Sequence, residues 1–344
     1  MKRAAIIGLG DISQIHINAL SHLEGVRLCA VCDIDASKGE KWEKKLPFYT
    51  DFRELIAREK PDCVHLCLPH YLHFSIAKEA VLRGIHVFCE KPVAISEKEA
   101  GEFLKMEENY PQIHMGICLQ NRLNESVEEL KRIIDEGKYG SLKGIRGFVP
   151  WMRRKEYYEA SPWRGEWALA GSGALMNQSI HTLDLMYFLG GDIISLRAMA
   201  GQLLDYGIET EDTVAAALLF RNGMHGLFVA TNANYENESV SLRVSMEKGD
   251  FLIQDNCLTE LCRDGSRSVI VEDRRMPGSK FYYGASHEKV IAQFYRSLEE
   301  EAQEYIHVKD AVMSVRLIEA ILNSSRFSTT VRMDHERKNY PTGK

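Results

Sequence analysis

Through the first third of the chain, short apolar runs alternate with stretches whose apolar residues recur every three or four positions. Runs at 4–8, 26–33, 63–68, 86–90 and 113–118, with a shorter one at 48–49, have strand length and stop at glycine, proline or acidic residues. The stretches between them predict helices at 11–23, 36–45, 51–59, 72–83 and 96–109. Thr50 or Asp51 is the expected cap of the third helix, Gly84 closes the fourth, and Ser96 with Glu99 makes a capping box for the fifth. Strands joined through helices of this length return by right-handed crossovers, so the sheet is expected to be parallel.

Near residue 120 the rhythm changes. The pattern predicts a helix at 124–136, a strand at 141–150, an irregular aromatic-rich loop at 151–170 and a helix at 174–189. Strand candidates follow at 193–203, 213–220, 224–233, 239–246, 250–254, 259–262 and 268–272, then helices at about 285–305 and 309–326. Direct turns such as Arg221-Asn222-Gly223 and Glu247-Lys248-Gly249 imply antiparallel neighbours. The expected fold class is α/β. An N-terminal domain with a parallel sheet covers 1–120, and a C-terminal α+β domain with an open, mainly antiparallel sheet covers 121–344.

A length of 344 residues agrees with two domains. The net charge of -6 argues against a nucleic-acid partner, which calls for a basic face. The N-terminal apolar run breaks at Gly8 and Asp11, and no run reaches membrane-spanning length, so a cytoplasmic protein without a membrane partner is expected. Among eight cysteines Cys29-Ala30-Val31-Cys32 is the only Cys-x-x-Cys. Its cysteines lie in a predicted strand, where alternation sends them to opposite faces, so buried thiols and no metal are expected.

Candidate chemistry begins at Gly8-Leu9-Gly10-Asp11-Ile12-Ser13, between the first strand and the first helix. Gly8 permits the tight turn, Gly10 lets a pyrophosphate approach the backbone, and the helix start offers free N–H groups at Asp11 and Ile12. Asp33 stands 23 residues after Gly10, where a carboxylate hydrogen-bonds an adenosine ribose and repels a 2′-phosphate. With Ile34 and Asp35 following it, NAD is expected and NADP less so. Leu68-Pro69-His70 and Glu90-Lys91-Pro92 end two of the parallel strands, where open α/β sheets bind ligands. A lysine there can lower the pKa of a substrate hydroxyl and stabilise its alkoxide. Gly171-Ser172-Gly173 opens the later helix, whose Asn177, His181 and Asp184 are spaced to share one stripe. Its glycines allow close approach of a ligand or a second backbone, and His181 is a natural proton acceptor near neutral pH.

In this order, the Gly-x-Gly, Glu-Lys-Pro and glycine-to-histidine blocks resemble the glucose–fructose oxidoreductase / inositol dehydrogenase / rhizopine-catabolism (Gfo/Idh/MocA) family over nearly the whole chain. The resemblance implies an NAD(P)-dependent oxidoreductase acting on sugars, cyclitols or their derivatives. It implies a homodimer or homotetramer built through the C-terminal sheet. It assigns Lys91 and His181 to the catalytic pair, Asp33 to the ribose, and Leu68, Pro69, His70 and His73 to the dinucleotide path. Glu90 and Gln120 fall near the nicotinamide end, with Trp163 and Arg164 reaching over it. Asn177 stands where many members carry aspartate, and serines replace glycine at 172 and 179. An amide can orient a hydroxyl but cannot carry its proton.

In the resulting scheme His181 takes the proton of a secondary hydroxyl, Lys91 steadies the oxyanion and Asn177 fixes an adjacent hydroxyl. Tyr157, Tyr158 and Trp163 offer apolar faces to a sugar ring, and Arg122, Arg153, Arg154 and Arg164 offer charge. Two competing classes remain at this stage: an NAD-dependent glycoside-cleaving enzyme that oxidises C3 transiently, and a non-catalytic dinucleotide-binding regulator.

Overall fold

The computed structural model describes residues 1–42, 45–262, 264–274, 286–300 and 304–333. The alternating N-terminal pattern folds as β1 (Lys2–Ile7), α1 (Asp11–His22), β2 (Val26–Cys32), β3 (Phe48–Tyr49), α2 (Phe52–Glu59), β4 (Cys63–Leu66), α3 (His73–Val81), β5 (His86–Glu90), α4 (Glu97–Asn109) and β6 (Met115–Cys118). The six strands pair in the order β3-β2-β1-β4-β5-β6, each pair parallel. Their central residues are buried on both faces, which is why they read as continuous apolar runs and not as alternation. Asp51 caps α2 by accepting from the Arg53 amide, and Ser96 caps α4 by accepting from the Glu99 amide.

Two helices expected here differ in form. The one at 36–45 is a 3₁₀ helix over Ala36–Lys41, with residues 43 and 44 outside the described residues. The one at 72–83 begins as a 3₁₀ turn at His70–Leu72 and is α-helical only over α3.

The chain continues as α5 (Glu125–Glu136), β7 (Leu142–Pro150), α6 (Lys155–Glu159), α7 (Trp167–Ala170), α8 (Ala174–Asn177), α9 (Ile180–Gly190), β8 (Ile193–Gly201), β9 (Thr213–Phe220), β10 (His225–Thr231), β11 (Ser241–Met246), β12 (Asp250–Gln254), β13 (Cys257–Leu261) and β14 (Arg267–Glu272). It ends with α10 (Ser286–Glu300), α11 (Val308–Arg326) and β15 (Val331–Arg332). The second sheet runs β14-β13-β12-β11-β7-β10-β9-β8-β15 and is antiparallel except between β7 and β10. Helix α9 lies so close to β7 that a Cβ on Gly147 would stand 2.7 Å from Thr182 and 2.8 Å from Met186.

The described residues divide into two compact units. The first comprises residues 1–124, 161–172 and the described part of 274–316, and the remainder forms the second. The first unit is thus continuous to Asn124, and two later segments return to it. Helix α10 does so because it packs against α1 and β6, with Val290, Ile291, Phe294 and Tyr295 in the first core.

Two further expectations are corrected. Residues 151–170 are not irregular: they hold α6, a 3₁₀ turn at Pro162–Gly165 and α7. The single helix at 174–189 is broken between α8 and α9. The Ser179 hydroxyl takes the Ala174 and Leu175 carbonyls at 2.8 and 3.3 Å, and its amide reaches back to Ala174 as well. These bonds compete with the regular helical ladder. Asn177 and His181 thus belong to different helices, and the shared stripe with Asp184 does not form as one helix face.

Candidate active site

In the first unit the C-terminal edge of the parallel sheet carries a cradle. Gly8 has φ +93°, and a Cβ there would fall 2.3 Å from the Cys67 carbonyl oxygen, so only glycine fits between β1 and the end of β4. Gly10 is the extended residue before α1. No side chain caps that helix, and nothing stands within 4 Å of where a Gly10 Cβ would be. Open space before uncapped amides at Asp11 and Ile12 fits a pyrophosphate. Asp33, just past β2, accepts from the Leu9 amide at 2.7 Å and the Asp35 amide at 3.0 Å, which ties the glycine turn to the strand end. Its carboxylate also meets Lys38 Nζ at 2.8 Å. Sequence reasoning looked for a cation only at the next two positions and missed this one.

Beyond β4, His73 links two loops: its Nδ1 is 2.7 Å from the Pro92 carbonyl and its Nε2 is 2.9 Å from the Leu68 carbonyl. The ring is fully buried and its pKa is lowered by burial against those carbonyl contacts. His70 sits beside it, with Nδ1 2.9 Å from the Ala170 carbonyl and its ring edge-on to Trp163 at 4.7 Å. Burial pushes His70 well below the usual histidine range. The segment bearing Trp163 and Arg164 is thereby joined to the loop after β4, and the Arg164 guanidinium lies over the Trp163 ring at 5.8 Å.

Glu90 ends β5, Lys91 follows it directly, and the Lys91–Pro92 peptide is cis. Gln120 is buried, with its Oε1 3.7 Å from Cys118 Sγ. Ligand atoms of His16, Glu90 and Cys118 lie within 4.8 Å of one another, the one group with metal-ligand chemistry among the described residues. The Cys118 thiol is pushed well up by burial and by the Glu90 charge. Arg122 is buried, with its guanidinium donating to the Asp310 carbonyl at 3.0 Å.

In the second unit Gly173, just before α8, admits a second backbone. A Cβ on Gly173 would stand 2.0 Å from the Glu211 carbonyl oxygen. The Glu211 carboxylate accepts from the Gly173 and Leu175 amides, both at 3.0 Å, and so caps the start of α8. Glu211 lies in a Glu-Thr-Glu-Asp run that reads as solvated loop, so its role was missed. Asn177 and His181, at the end of α8 and the start of α9, are both half-buried.

Beside them runs a chain of side-chain amides and phenols. Gln178 Nε2 donates to Tyr157 Oη at 2.9 Å, and Asn232 Nδ2 donates to Gln178 Oε1 and Tyr158 Oη, both at 3.1 Å. Tyr158 is buried and its phenol is pushed up to about 12 by burial, so it packs as wall and hydrogen-bond acceptor. A cavity of about 520 Å³ adjoins this network, lined in part by Arg153, Arg154, Tyr206, Asn232, Asn234 and Tyr235. Arg153 is fixed there by Asn237 Oδ1 at 2.8 Å and by the Trp151 and Tyr157 rings. Gln178 and Asn232 had no motif to announce them.

Comparison with known proteins fits this geometry. Residues 2–116 match the oxidoreductase family with an NAD-binding Rossmann fold, and residues 127–252 match the GFO/IDH/MocA C-terminal domain. The uncharacterized oxidoreductase YrbE of Bacillus subtilis is 23% identical over 342 residues, 97% of each chain. The inositol 2-dehydrogenase of Salmonella typhimurium is 27% identical over 192 residues, which span 54% of each chain. Among solved structures, the WlbA dehydrogenase of Bordetella pertussis, in complex with NADH and UDP-GlcNAcA, is 26% identical with a TM-score of 0.84, covering 97% of this chain and 99% of that one.

A glycine cradle on a parallel sheet, with an acid at the second strand end, defines the class: an NAD-binding oxidoreductase with a Rossmann domain. The chain belongs to the Gfo/Idh/MocA family. No described helix is long and apolar enough to cross a membrane.

Proposed function

We propose that the protein moves hydride between NAD and a secondary alcohol or ketone of a sugar, cyclitol or sugar derivative. The observation that carries this reading is the placement of Lys91 directly after β5, on the same sheet edge as the Gly8–Gly10 cradle. The named relatives, an inositol dehydrogenase and a dehydrogenase holding a nucleotide sugar, agree in substrate chemistry. Bound NAD supplies the hydride acceptor or donor. Lys91 stabilises the alkoxide oxygen, His181 takes the hydroxyl proton in oxidation and returns it in reduction, and Asn177 orients a neighbouring hydroxyl.

The exposed face of the second sheet favours a homo-oligomer. Met199, Ala215, Val229 and Phe148 stand opposite one another across β8, β9, β10 and β7, with Met199 78% and Phe148 42% exposed. An apolar row of this kind marks an interaction surface, and a second copy of the chain is the proposed occupant.

The test is a spectrophotometric screen of NADH formation and consumption over cyclitols, aldoses, ketoses and nucleotide sugars, with NAD and with NADP. Lys91→Ala and His181→Ala are each expected to lower kcat by roughly 10²–10⁴-fold while NADH binding persists. Near-normal turnover in both variants would remove these residues from the chemistry.

A further inference from the structure

Inside the first unit, four side chains from four elements form an unbroken chain. His16 of α1 places Nε2 2.9 Å from Glu90 Oε1, and its Nδ1 is 2.9 Å from His65 Nδ1 on β4. His65 Nε2 is 2.9 Å from the Tyr295 hydroxyl on α10. His16 and His65 are fully buried, and Glu90 and Tyr295 nearly so.

The proton arrangement follows from counting donors. A neutral imidazole has one N–H and one lone pair, and a carboxylate only accepts. With His16 neutral, its Nε2 donates to Glu90 and its Nδ1 is left an acceptor. His65 must donate from Nδ1, which leaves its Nε2 to accept from the Tyr295 hydroxyl. Burial, with the neighbouring His16, pushes His65 well below the usual histidine range, which keeps that ring neutral. Every donor then points towards one carboxylate, and head-to-tail bonds of this kind polarise one another. Burial opposes a charge on Glu90, and the His16 contact, with His287 and Lys91 beyond it, outweighs burial and holds the carboxyl well below the usual carboxylate range. Cys67, Cys89 and Cys118, pushed well up by burial and by Glu90, stay as neutral thiols around it.

In a sheet of order 3-2-1-4-5-6 a dinucleotide lies across the point where the strand order reverses. Asp33, at the end of β2, marks the adenosine half. The other nucleotide then falls over β4, β5 and β6, the half whose ligand-binding edge carries Glu90. Oxidised nicotinamide bears a positive charge and reduced nicotinamide does not.

We propose that Tyr295, His65 and His16 form a one-way hydrogen-bonded chain that fixes Glu90 as an anion favouring the oxidised cofactor. His65 and Tyr295 act through Glu90 and are positioning residues. The inference rests on NAD binding and not on the identity of the sugar.

Two measurements on the full-length protein test it. Nitrogen-15 NMR of histidine-labelled protein at neutral pH, assigned with His16→Gln and His65→Gln, is expected to find His16 protonated at Nε2 and His65 at Nδ1. A proton on His65 Nε2, or a doubly protonated ring, would overturn the one-way arrangement. Titration with NAD⁺ and NADH is expected to show Glu90→Gln shifting the affinity ratio towards NADH by roughly tenfold or more, since unit charges even about 12 Å apart interact on that scale at an effective dielectric of about 20. Tyr295→Phe, which removes a single oxygen and keeps the core filled, is expected to shift the ratio the same way by a few-fold. Equal weakening of both forms, or none, in Tyr295→Phe would overturn the proposal even if Glu90→Gln failed to fold.

Discussion

Gly8 and Gly173 lack a side chain for different physical reasons, and one substitution separates them. At Gly8 the backbone has a positive φ and the Cys67 carbonyl blocks a Cβ at 2.3 Å. At Gly173 a Cβ meets the Glu211 carbonyl at 2.0 Å. Alanine at either position forces backbone apart, and overpacking of this kind costs about 1–3 kcal/mol. Gly8→Ala is also expected to weaken NADH binding, because the turn that presents the α1 amides shifts with it. Gly173→Ala is expected to lower thermal stability and leave NADH affinity unchanged, since its strain falls on the cap of α8. Thermal melts with and without NADH, joined to a fluorescence titration, distinguish the two. Equal cofactor affinity in both variants would separate the Gly8 turn from the cradle. The glycines were visible in the sequence because their spacing repeats a known turn. Lys38, Glu211, Gln178 and Asn232 were not, because each acts on a partner far along the chain or off any motif.

At the scale of elements, periodicity located nearly every strand and helix, and it failed where a side chain overrode the backbone ladder. Nothing in the apolar spacing of 174–189 signals a break, since Leu175, Met176, Ile180 and Leu183 are all buried as one helix would bury them. The interruption comes from Ser179, whose hydroxyl competes for the Ala174 carbonyl. The capping residues Asp51 and Ser96 were legible because a cap is a local bond over two or three positions. The parallel sheet and its loops also collect an unusual set of imidazoles. His65, His70, His73, His86 and His114 all have pKa values lowered chiefly by burial, with His86 at about 4 against an ordinary 6.5. The folded chain keeps these rings neutral while the unfolded chain takes up protons as pH falls below 6.5. The unfolded state then binds more protons, so stability falls with pH in that window and is level above it. Melting temperature at constant ionic strength is expected to be flat from pH 8 to 7 and to drop progressively from pH 6.5 towards 4. A flat profile down to pH 5 would mean that burial does not hold these rings neutral.

For the whole molecule, two kinds of sheet were separable in the sequence because they solve different burial problems. The first is buried on both faces and shows runs. The second alternates, as β9 does with Val214, Ala216, Leu218 and Phe220 buried and Ala215 and Ala217 exposed. What the pattern could not give was which outward residues line up, because register across β8, β9, β10 and β7 is set by long-range pairing. That register places Met199, Val229 and Phe148 in one row, and Leu227 in the next beside Arg146 and Arg197. A large apolar row open to water costs solubility unless something covers it, and a flanking row with arginines gives a covering partner orientation as well as area. If a second copy is that cover, Met199→Glu with Phe148→Glu places like charges at both ends of the apolar row. The double variant is expected to fall to the monomer mass in light scattering, at a melting temperature close to that of a wild-type sample diluted below its dissociation constant. NADH affinity should survive, because the cradle belongs to the other unit. A wild-type chain that is already monomeric at micromolar concentration, or a double variant with unchanged mass, would leave this face without a self-association role.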